Sequence, residues 1–347
     1  MKHIIGGNPS PAAPEVRSVT VEEDSSGQRL DNFLMRHLKG VPKTHIYRII
    51  RSGEVRINKG RASADSRIAS GDVVRLPPVR VSERAADKAQ AMALGGVAVP
   101  ARDFPVLWED ESFMAINKPA GVAVHGGSGV TFGVIEQLRM ARPKAAFLEL
   151  VHRLDRETSG ILLVAKKRSA LKNLQDQFRE RVTGKTYLAL VVGQWPASKK
   201  VLDKSLHKYL LPNGERRVEV VARDDPDAMP SLTLVKVRAH GGTTSGISES
   251  GYSLLEVTIK TGRTHQIRVH LASEGLPIAG DDKYGNFDLN KALAKADQSA
   301  PPLKRMFLHA WRFQCHHPSS GKRVELQCDL PYDLSQFLLR ALPADDA

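Results

Sequence analysis

The sequence has few cysteines and no long apolar run, and both absences narrow the class of protein. Only Cys315 and Cys328 occur in 347 residues, which argues against a disulfide framework. No apolar run approaches the roughly 18 residues that a membrane-spanning helix needs. The start of the chain, Met1 to Gly7, lacks the apolar region of a signal peptide. We therefore expect a soluble, cytoplasmic protein that does not act on a membrane.

Motifs for metals and cofactors are also scarce. His316 and His317 follow Cys315, but their spacing relative to Cys328 matches no zinc motif, so a reduced structural cysteine pair is the favoured interpretation. The glycine-rich segment 118–129 permits close backbone approach to a ligand. It lacks the glycine spacing and the Lys-Ser/Thr ending of a P-loop. The sequence predicts neither a metal ion nor a cofactor.

Positive charge is abundant and unevenly distributed. Lys and Arg number 51 against 38 Asp and Glu, which gives a net charge of +13. The sequence pI of 9.8 favours a polyanionic partner, with nucleic acid ahead of an anionic membrane surface. Residues 17–80 contain 13 Lys and Arg and 7 Asp and Glu, a net of +6. Nearly half of the excess charge therefore lies in under a fifth of the chain.

Residues 17–80 also have the pattern of a small domain. Leu30, Phe33 and Leu34 recur with helical spacing, and Thr44 is a candidate cap for a second helix. Cations cluster on that second helix and on the turn after it, which suits contacts with backbone phosphates better than base readout; a solvated charged face is the alternative. The candidate RNA-binding residues are Lys43, Arg48, Arg51, Arg56 and Lys59.

The stretches 29–34 and 46–58 resemble the small RNA-binding module named after ribosomal small-subunit protein four, the S-four-like domain. This resemblance implies RNA binding, but the module occurs beside many activities and names no reaction. Composition predicts a flexible tail at residues 1–16 and a linker at residues 81–103. Strand patterns and hairpin turns dominate residues 104–342. They predict an α+β catalytic domain on a large mixed, mostly antiparallel sheet.

The most informative stretch is 152–160, a polar segment between two apolar runs that read as strands. It should form a loop held at both ends, which is where catalytic groups are often placed. Asp155 is flanked by Arg153 and Arg156, and neighbouring cations favour the ionised carboxylate. The alternative is a turn in which Asp155 or Thr158 only caps local backbone groups.

Two later segments offer partners for that carboxylate. Tyr187 lies in a predicted strand, where an ordinary core tyrosine is the alternative. Arg268 lies early in a predicted helix for which Thr264 is a candidate cap. The two arginines and two histidines of segment 261–270 suit anion binding or simply cover the helix surface. Sequence order cannot show that Asp155, Tyr187 and Arg268 converge.

Segments 152–160, 184–191 and 261–270 together resemble the signatures of the RNA pseudouridine synthases of the RluA family, and segments 124–129 and 280–285 match as well. The resemblance covers essentially the whole chain from residue 104. It implies the pseudouridine synthase fold, large-subunit ribosomal RNA as substrate, no cofactor and a monomer. It further implies that Asp155 is the catalytic aspartate, Tyr187 stacks on the target base and Arg268 pairs with the aspartate. Arg153 would enter the space that the flipped base leaves.

The implied chemistry fits these residue types. Isomerising uridine breaks the bond from C1′ to N1 and joins C1′ to C5, and a carboxylate can serve as nucleophile or base in such glycosidic chemistry. Attack at the sugar, attack on the uracil ring and a glycal route all stay open. Three other functions also stay open: a synthase for transfer RNA or other ribosomal uridines, a hydrolytic nucleoside or base glycosylase, and a non-catalytic ribosome-assembly factor. Residues 286–300 form a polar insertion without an assigned role.

Overall fold

The computed structural model describes residues 15–22, 25–38, 41–79, 99–126, 132–212, 214–241, 251–295 and 302–342. The chain divides into two compact units, Met1–Ala98 and Val99–Ala347. Most of the predicted tail, residues 1–14, and most of the predicted linker, residues 81–98, lie outside the described residues.

The amino-terminal unit combines two helices with a small antiparallel sheet. Its elements are β1 (Arg17–Thr20), α1 (Leu30–His37), α2 (Lys43–Arg51), β2 (Arg56–Ile57), β3 (Gly60–Arg61) and β4 (Val73–Leu76). The sheet order is β1-β4-β2-β3. The apolar faces of both helices pack into one core, because Phe33, Leu34, Ile46 and Ile49 are each at most 1% exposed. Burial of these side chains is the main force that holds so small a unit together.

The predicted cap of the second helix is wrong. α2 begins at Lys43, one residue before Thr44, and the cap position is held by Pro42 in an extended conformation without a side-chain cap bond. The Pro42 carbonyl accepts from the amides of His45 and Ile46 at 2.9 and 3.1 Å. The ring of Pro42 fixes its φ, so the chain is already oriented to enter the helix before Thr44 is reached.

The second unit is built on one sheet of eleven strands. Its strands are β5 (Val106–Glu109), β6 (Phe113–Lys118), β7 (Glu149–Leu150), β8 (Ser159–Ala165), β9 (Gly184–Val192), β10 (Val201–Leu210), β11 (Arg216–Val221), β12 (Met229–Gly241), β13 (Tyr252–Ile259), β14 (Leu308–His316) and β15 (Arg323–Gln327). The main order is β11-β10-β12-β13-β9-β14-β8-β6-β5, with β15 beside β14 and β7 beside β8.

Five helices of the described residues flank or connect these strands. They are α3 (Val134–Ala141), α4 (Arg168–Arg179), α5 (Gln266–Ala272), α6 (Phe287–Leu293) and α7 (Tyr332–Ala341). Among the paired strands, β14 and β8 run parallel and the other pairs are antiparallel. The predicted α+β class with a mixed, mostly antiparallel sheet is confirmed. In the described part of the chain, no helix has the length and apolar character needed to cross a membrane.

The polar insertion predicted at residues 286–300 contains the short helix α6. The side chain of Asn286 accepts from the Leu289 amide at 3.0 Å and caps this helix. Residues 296–301 lie outside the described residues. Asn290 turns inward and bonds the Gly280 amide at 2.9 Å and the Asp281 carbonyl at 2.8 Å. The insertion therefore supports a neighbouring turn, a role that its polar composition did not reveal.

Candidate active site

The segment predicted as a rigid loop, residues 152–158, connects β7 to β8. Its far end is fixed by Gly160, where β8 begins to pair in parallel with β14. Gly160 has φ of +106°, and a Cβ there would collide with the carbonyl oxygen of Ala310. Only glycine combines that backbone angle with such close strand approach. Within the loop, the Thr158 amide donates to the Asp155 carbonyl at 3.2 Å and closes a turn that begins at Asp155.

A buried lysine ties this loop to its neighbour. Lys118 at the end of β6 is 0% exposed, and its Nζ donates to the carbonyls of Pro119, Val122 and Arg156 at 2.8, 2.8 and 3.0 Å. Burial lowers the pKa of Lys118 to about 7. Three carbonyls match the three N–H donors of an ammonium group, whereas a neutral amine would leave one carbonyl without a donor. The geometry therefore favours the charged form at neutral pH.

We predict that Lys118→Met destabilises the protein by about 3 to 5 kcal/mol, because it leaves buried carbonyls on both loops without donors. Urea unfolding followed by circular dichroism would measure the change. Lys166→Met is the matched control: Lys166 pairs with Glu109 at 2.6 Å and both side chains are 28% exposed. Such a pair contributes about 1 kcal/mol or less. Equal losses in the two variants would contradict the structural role of Lys118.

Asp155 and Arg268 converge although 113 positions separate them. Arg268 lies on α5, which follows β13, and its Nη1 is 3.4 Å from Asp155 Oδ2. The Arg268 side chain is 3% exposed and that of Asp155 is 28% exposed, so the arginine is buried behind an accessible carboxylate. Charge attraction between the guanidinium and the carboxylate is stronger in such a partly dry setting than in water, and it orients Asp155.

Arg268 has a second partner, Asp281, which was not among the site residues predicted from the sequence. Asp281 is 0% exposed and binds Arg268 bidentately, with Nε to Oδ2 at 2.7 Å and Nη2 to Oδ1 at 2.6 Å. Burial opposes the charge of Asp281, but the bonds and charge of Arg268 outweigh it and hold the pKa of Asp281 below its usual value. Burial likewise opposes the charge of Arg268, and Asp281 raises the pKa of that guanidinium. This fork fixes the arginine and leaves Nη1 directed at Asp155.

The turn that carries Asp281 is itself tightly bonded. Asp281 Oδ1 accepts from the amides of Lys283 and Tyr284 at 2.8 and 3.0 Å, and Asn290 holds the main chain on the other side. Segment 280–285 matched the family pattern without an assigned role. An Asp followed by a short polar run and Tyr was the only signal in the sequence, and such runs usually mark ordinary turns.

Tyr187 and Arg153 complete the walls of the cleft around Asp155. Tyr187 lies on β9 and is 9% exposed, and Arg153 precedes Asp155 by two residues with an exposed side chain. Burial, with a smaller contribution from the charge of Asp155, raises the pKa of Tyr187 above its usual value, so the phenol stays neutral. The residues that line the cleft include Arg153, Asp155, Tyr187, His265 and Arg268. Asp155, Tyr187 and Arg268 therefore line one cleft, although their order in the sequence could not show it.

Two sequence interpretations of the cations near Asp155 need correction. Arg156 does not pair with Asp155: its Nε lies 3.3 Å from Glu157 and donates to the Gly121 carbonyl at 3.1 Å. His270 does not reach the cleft, because it is fully buried between Ser231 and Thr233 at 2.8 and 2.9 Å. Positive charge reaches Asp155 from a distant helix rather than from its chain neighbour Arg156.

The predicted cap of that helix is also wrong. The cap position of α5 is His265, not Thr264, and His265 adopts a left-handed backbone conformation with φ of 52° and ψ of 20°. Its Nδ1 lies 2.8 Å from the hydroxyl of Tyr284, and its Nε2 lies 4.0 Å from Asp155 Oδ2. A non-glycine residue in this region costs free energy that the surrounding contacts must offset. The histidine is thereby placed against the carboxylate.

In the amino-terminal unit, the five predicted RNA-binding cations are all exposed. Arg51 lines a groove together with Tyr47 and Arg61. Arg56 and Lys59 line a second groove. Lys43 and Arg48 lie on α2 outside both linings. The cations thus spread over more than one face, which fits contact with an extended phosphate backbone better than a single pocket.

Cys315 and Cys328 are free and buried, and burial raises their pKa values to about 12 and about 11. Both thiols therefore stay protonated, as expected for a reduced structural pair. Among the residues described, one group has donors close enough to consider for a metal: His207, Asp225 and Asp227, whose ligand atoms lie within 4.8 Å of one another.

Comparison with known proteins gives consistent matches. The family model described as RNA pseudouridylate synthase matches residues 112–273, and the S4 domain model matches residues 28–74. The chain is 48% identical to a protein of Haemophilus influenzae named ribosomal large subunit pseudouridine synthase C, over 93% of this chain and 94% of that protein. It is 46% identical to the Escherichia coli K12 protein of the same name, over 94% and 96%.

Solved structures agree on the fold of the second unit. Human RNA pseudouridylate synthase domain containing 1 superimposes with a TM-score of 0.54 and 26% identity, covering 67% of this chain and 85% of that one. Human RNA pseudouridylate synthase domain containing 4 gives a TM-score of 0.53 and 28% identity, covering 68% and 92%.

Proposed function

The chain belongs to the RNA pseudouridylate synthase family, and on that premise we propose that it isomerises uridines of large-subunit ribosomal RNA, with Asp155 as its catalytic carboxylate. It is an enzyme of the isomerase class, an RNA pseudouridine synthase. The rRNA substrate is proposed from the names of relatives that match 93 to 94% of this chain. The catalytic role of Asp155 is supported by one observation: Asp155, Arg268 and Tyr187 line the same cleft of the family fold.

The reaction breaks one bond and forms another on the same two fragments. The C1′–N1 bond breaks, uracil turns, and C5 bonds to C1′; the proton on C5 is lost and N1 gains one, so no atom is added or removed. Asp155 is the accessible carboxylate of the cleft and serves as nucleophile or base beside C1′. Arg268 orients this carboxylate, because the guanidinium is itself held by the buried Asp281.

The target base must leave its stack to reach Asp155, which lines the cleft. Removing a base from a helix costs a few kcal/mol. Tyr187 presents a neutral aromatic ring in the cleft and would stack on the flipped uracil. Arg153 is exposed beside the carboxylate and would occupy the space left in the RNA. Together these contacts offset part of the cost of flipping.

Mapping pseudouridines in RNA tests the substrate. Cells that lack the protein should lose specific pseudouridines of large-subunit rRNA and regain them when the wild-type chain, but not Asp155→Asn, is supplied. Loss of sites in transfer RNA instead would identify the rival substrate within the same activity. Free uracil released from the RNA would identify a glycosylase and contradict the proposal.

We propose that the exposed cations of the amino-terminal unit bind the same RNA through its phosphates. The double substitution Arg48→Gln/Arg51→Gln should lower affinity and reduce the slope of log K against log salt by about 1 to 2, since each lost phosphate contact removes about 0.7 to 0.9. Filter binding across a salt series would measure this. Arg17→Gln/Arg36→Gln, which removes two exposed cations outside the predicted set, is the control. Equal slopes for the two double variants would contradict the assignment.

We further propose that the enzyme acts as a monomer in the cytoplasm. This location is where a ribosomal RNA substrate would be met in bacteria such as those of the relatives. Light scattering at working concentration should give the mass of one chain, 38.1 kDa.

A further inference from the structure

His265 stands out because a non-glycine residue adopts a left-handed conformation against the proposed catalytic carboxylate. Its side chain is 13% exposed, and its two ring nitrogens face two different groups. Nδ1 faces the hydroxyl of Tyr284 at 2.8 Å, and Nε2 faces Asp155 Oδ2 at 4.0 Å. Unusual backbone conformations of this kind persist at functional sites, where surrounding contacts impose them.

The bonds of Tyr284 determine which nitrogen of His265 carries the proton. The Tyr284 hydroxyl accepts from the Val218 amide at 3.1 Å, and burial raises the pKa of this phenol to about 12, so it keeps its own proton. Among the described residues, the acceptor in reach of that proton is His265 Nδ1. A neutral imidazole that accepts at Nδ1 must carry its hydrogen on Nε2. Nε2, the nitrogen that carries this hydrogen, is the one that lies 4.0 Å from Asp155 Oδ2.

Burial keeps the imidazole neutral. It lowers the pKa of His265 below the usual value, against the opposing charge of Asp155. The charged and titratable groups that face His265 are Asp155 from the 152–158 loop, Arg268 from α5, and Asp281, Lys283 and Tyr284 from the following turn. The ring of Tyr284 also covers Arg268, whose guanidinium carbon lies 5.2 Å from the ring centre. Tyr284 therefore contacts both groups that approach the carboxylate.

Both donors approach the same oxygen of Asp155. Arg268 Nη1 lies 3.4 Å and His265 Nε2 lies 4.0 Å from Oδ2. Within the described part of the chain, Oδ1 has no hydrogen-bond partner. We propose that His265 is a positioning residue that Tyr284 holds in its Nε2–H form, so that with Arg268 it pins Oδ2 and leaves Oδ1 as the oxygen that reacts with the uridine. This inference rests on the proposed catalytic role of Asp155.

Two substitutions of His265 distinguish the effect of losing the imidazole from the effect of changing the strain in the backbone. His265→Ala and His265→Gly both remove the ring, and each should lower kcat for tritium release from 5-tritiated uridine in RNA by about 10- to 100-fold, because the carboxylate is no longer held in place. KM should change by less than about twofold. Glycine tolerates the left-handed backbone better than alanine, so the glycine variant should have the higher melting temperature. A kcat that follows stability, near wild type for glycine and low for alanine, would overturn the proposal.

Tyr284→Phe tests how the imidazole is held. The phenylalanine ring can still cover Arg268, but Nδ1 loses the donor that stabilises the neutral form, so the acid limb of the kcat profile should move up by about 0.5 to 1 pH unit. Added to His265→Ala, it should lower kcat by less than about twofold, because both changes break one connection. An acid limb that does not move, or fully additive losses, would contradict the inference.

Thr264→Ala is the neighbouring control and should leave kcat within about twofold of wild type, since its side chain has no part in the arrangement. The result for Asp155→Asn separates the positioning role of His265 from the proposed function. If Asp155→Asn is inactive while His265→Ala has wild-type kcat, the positioning role fails and the proposed function stands. If Asp155→Asn is fully active, the proposed function fails first.

Discussion

Asp155→Asn is expected to reduce tritium release from 5-tritiated uridine in RNA by at least about 10⁴-fold, while RNA binding stays within about twofold of wild type. An amide has nearly the shape of a carboxylate, but it carries no charge and is a poor nucleophile and base. Asp155 is partly exposed in the cleft, and Arg268 keeps its two bonds to Asp281, so the variant should still fold. The variant should therefore separate chemistry from binding.

Asp282→Asn is the matched control for that prediction. Asp282 also contacts Arg268, with Oδ1 at 3.1 Å from Nη2, but its side chain is 66% exposed. The same chemical change at this position should lower activity by no more than about threefold, because an exposed ion pair contributes little. Comparable activity in the two variants would show that Asp155 is not the catalytic carboxylate. Loss of RNA binding by Asp155→Asn would show instead that the aspartate shapes the site.

Local patterns of apolar residues predicted the helices and strands better than they predicted the cleft around Asp155. A strand pattern predicted β9, which carries Tyr187, and the helical spacing of apolar residues predicted α1. These signals are local because burial of one face is imposed residue by residue. The cleft is not local: Asp155 meets Arg268 only because β8, β14, β9 and β13 are neighbours in one sheet. Family resemblance supplied the convergence that periodicity could not.

Both helix caps predicted from Thr44 and Thr264 were wrong for related reasons. A threonine before an apolar run is a good cap in isolation. In each case a neighbouring residue has its backbone fixed by other constraints: Pro42 by its ring, and His265 by its contact with Tyr284. Asp281 was missed for the opposite reason, since an Asp in a short polar turn gives no local sign that its carboxylate is buried beneath a distant arginine. Tertiary contacts overrode local preference at these positions.

Arg268→Met should abolish measurable activity and also destabilise the fold by about 3 to 5 kcal/mol. The substitution removes the partner of Asp155 and leaves Asp281 fully buried with an uncompensated charge. Arg268→Lys keeps the positive charge but should still lower kcat by about 10²-fold or more. A single ammonium cannot make the two parallel bonds to Asp281 and also reach Asp155. Urea unfolding and tritium release would measure the two effects on the same samples.

The double variant Arg268→Met/Asp281→Asn separates the structural and catalytic roles of the arginine. Neutralising Asp281 removes the buried charge, so most of the lost stability should return while activity stays absent. The pH dependence gives a second check. In the wild type the depressed pKa of Asp281 contributes stability above the unfolded value, which is lost as pH falls through the folded pKa. In Arg268→Met the unpaired Asp281 takes up a proton more readily, so the stability gap to wild type should be largest at neutral pH and shrink toward about pH 4. A gap that is independent of pH would show that Arg268 does not hold Asp281 in its charged form. A double variant that regains activity would show that catalysis does not need Arg268.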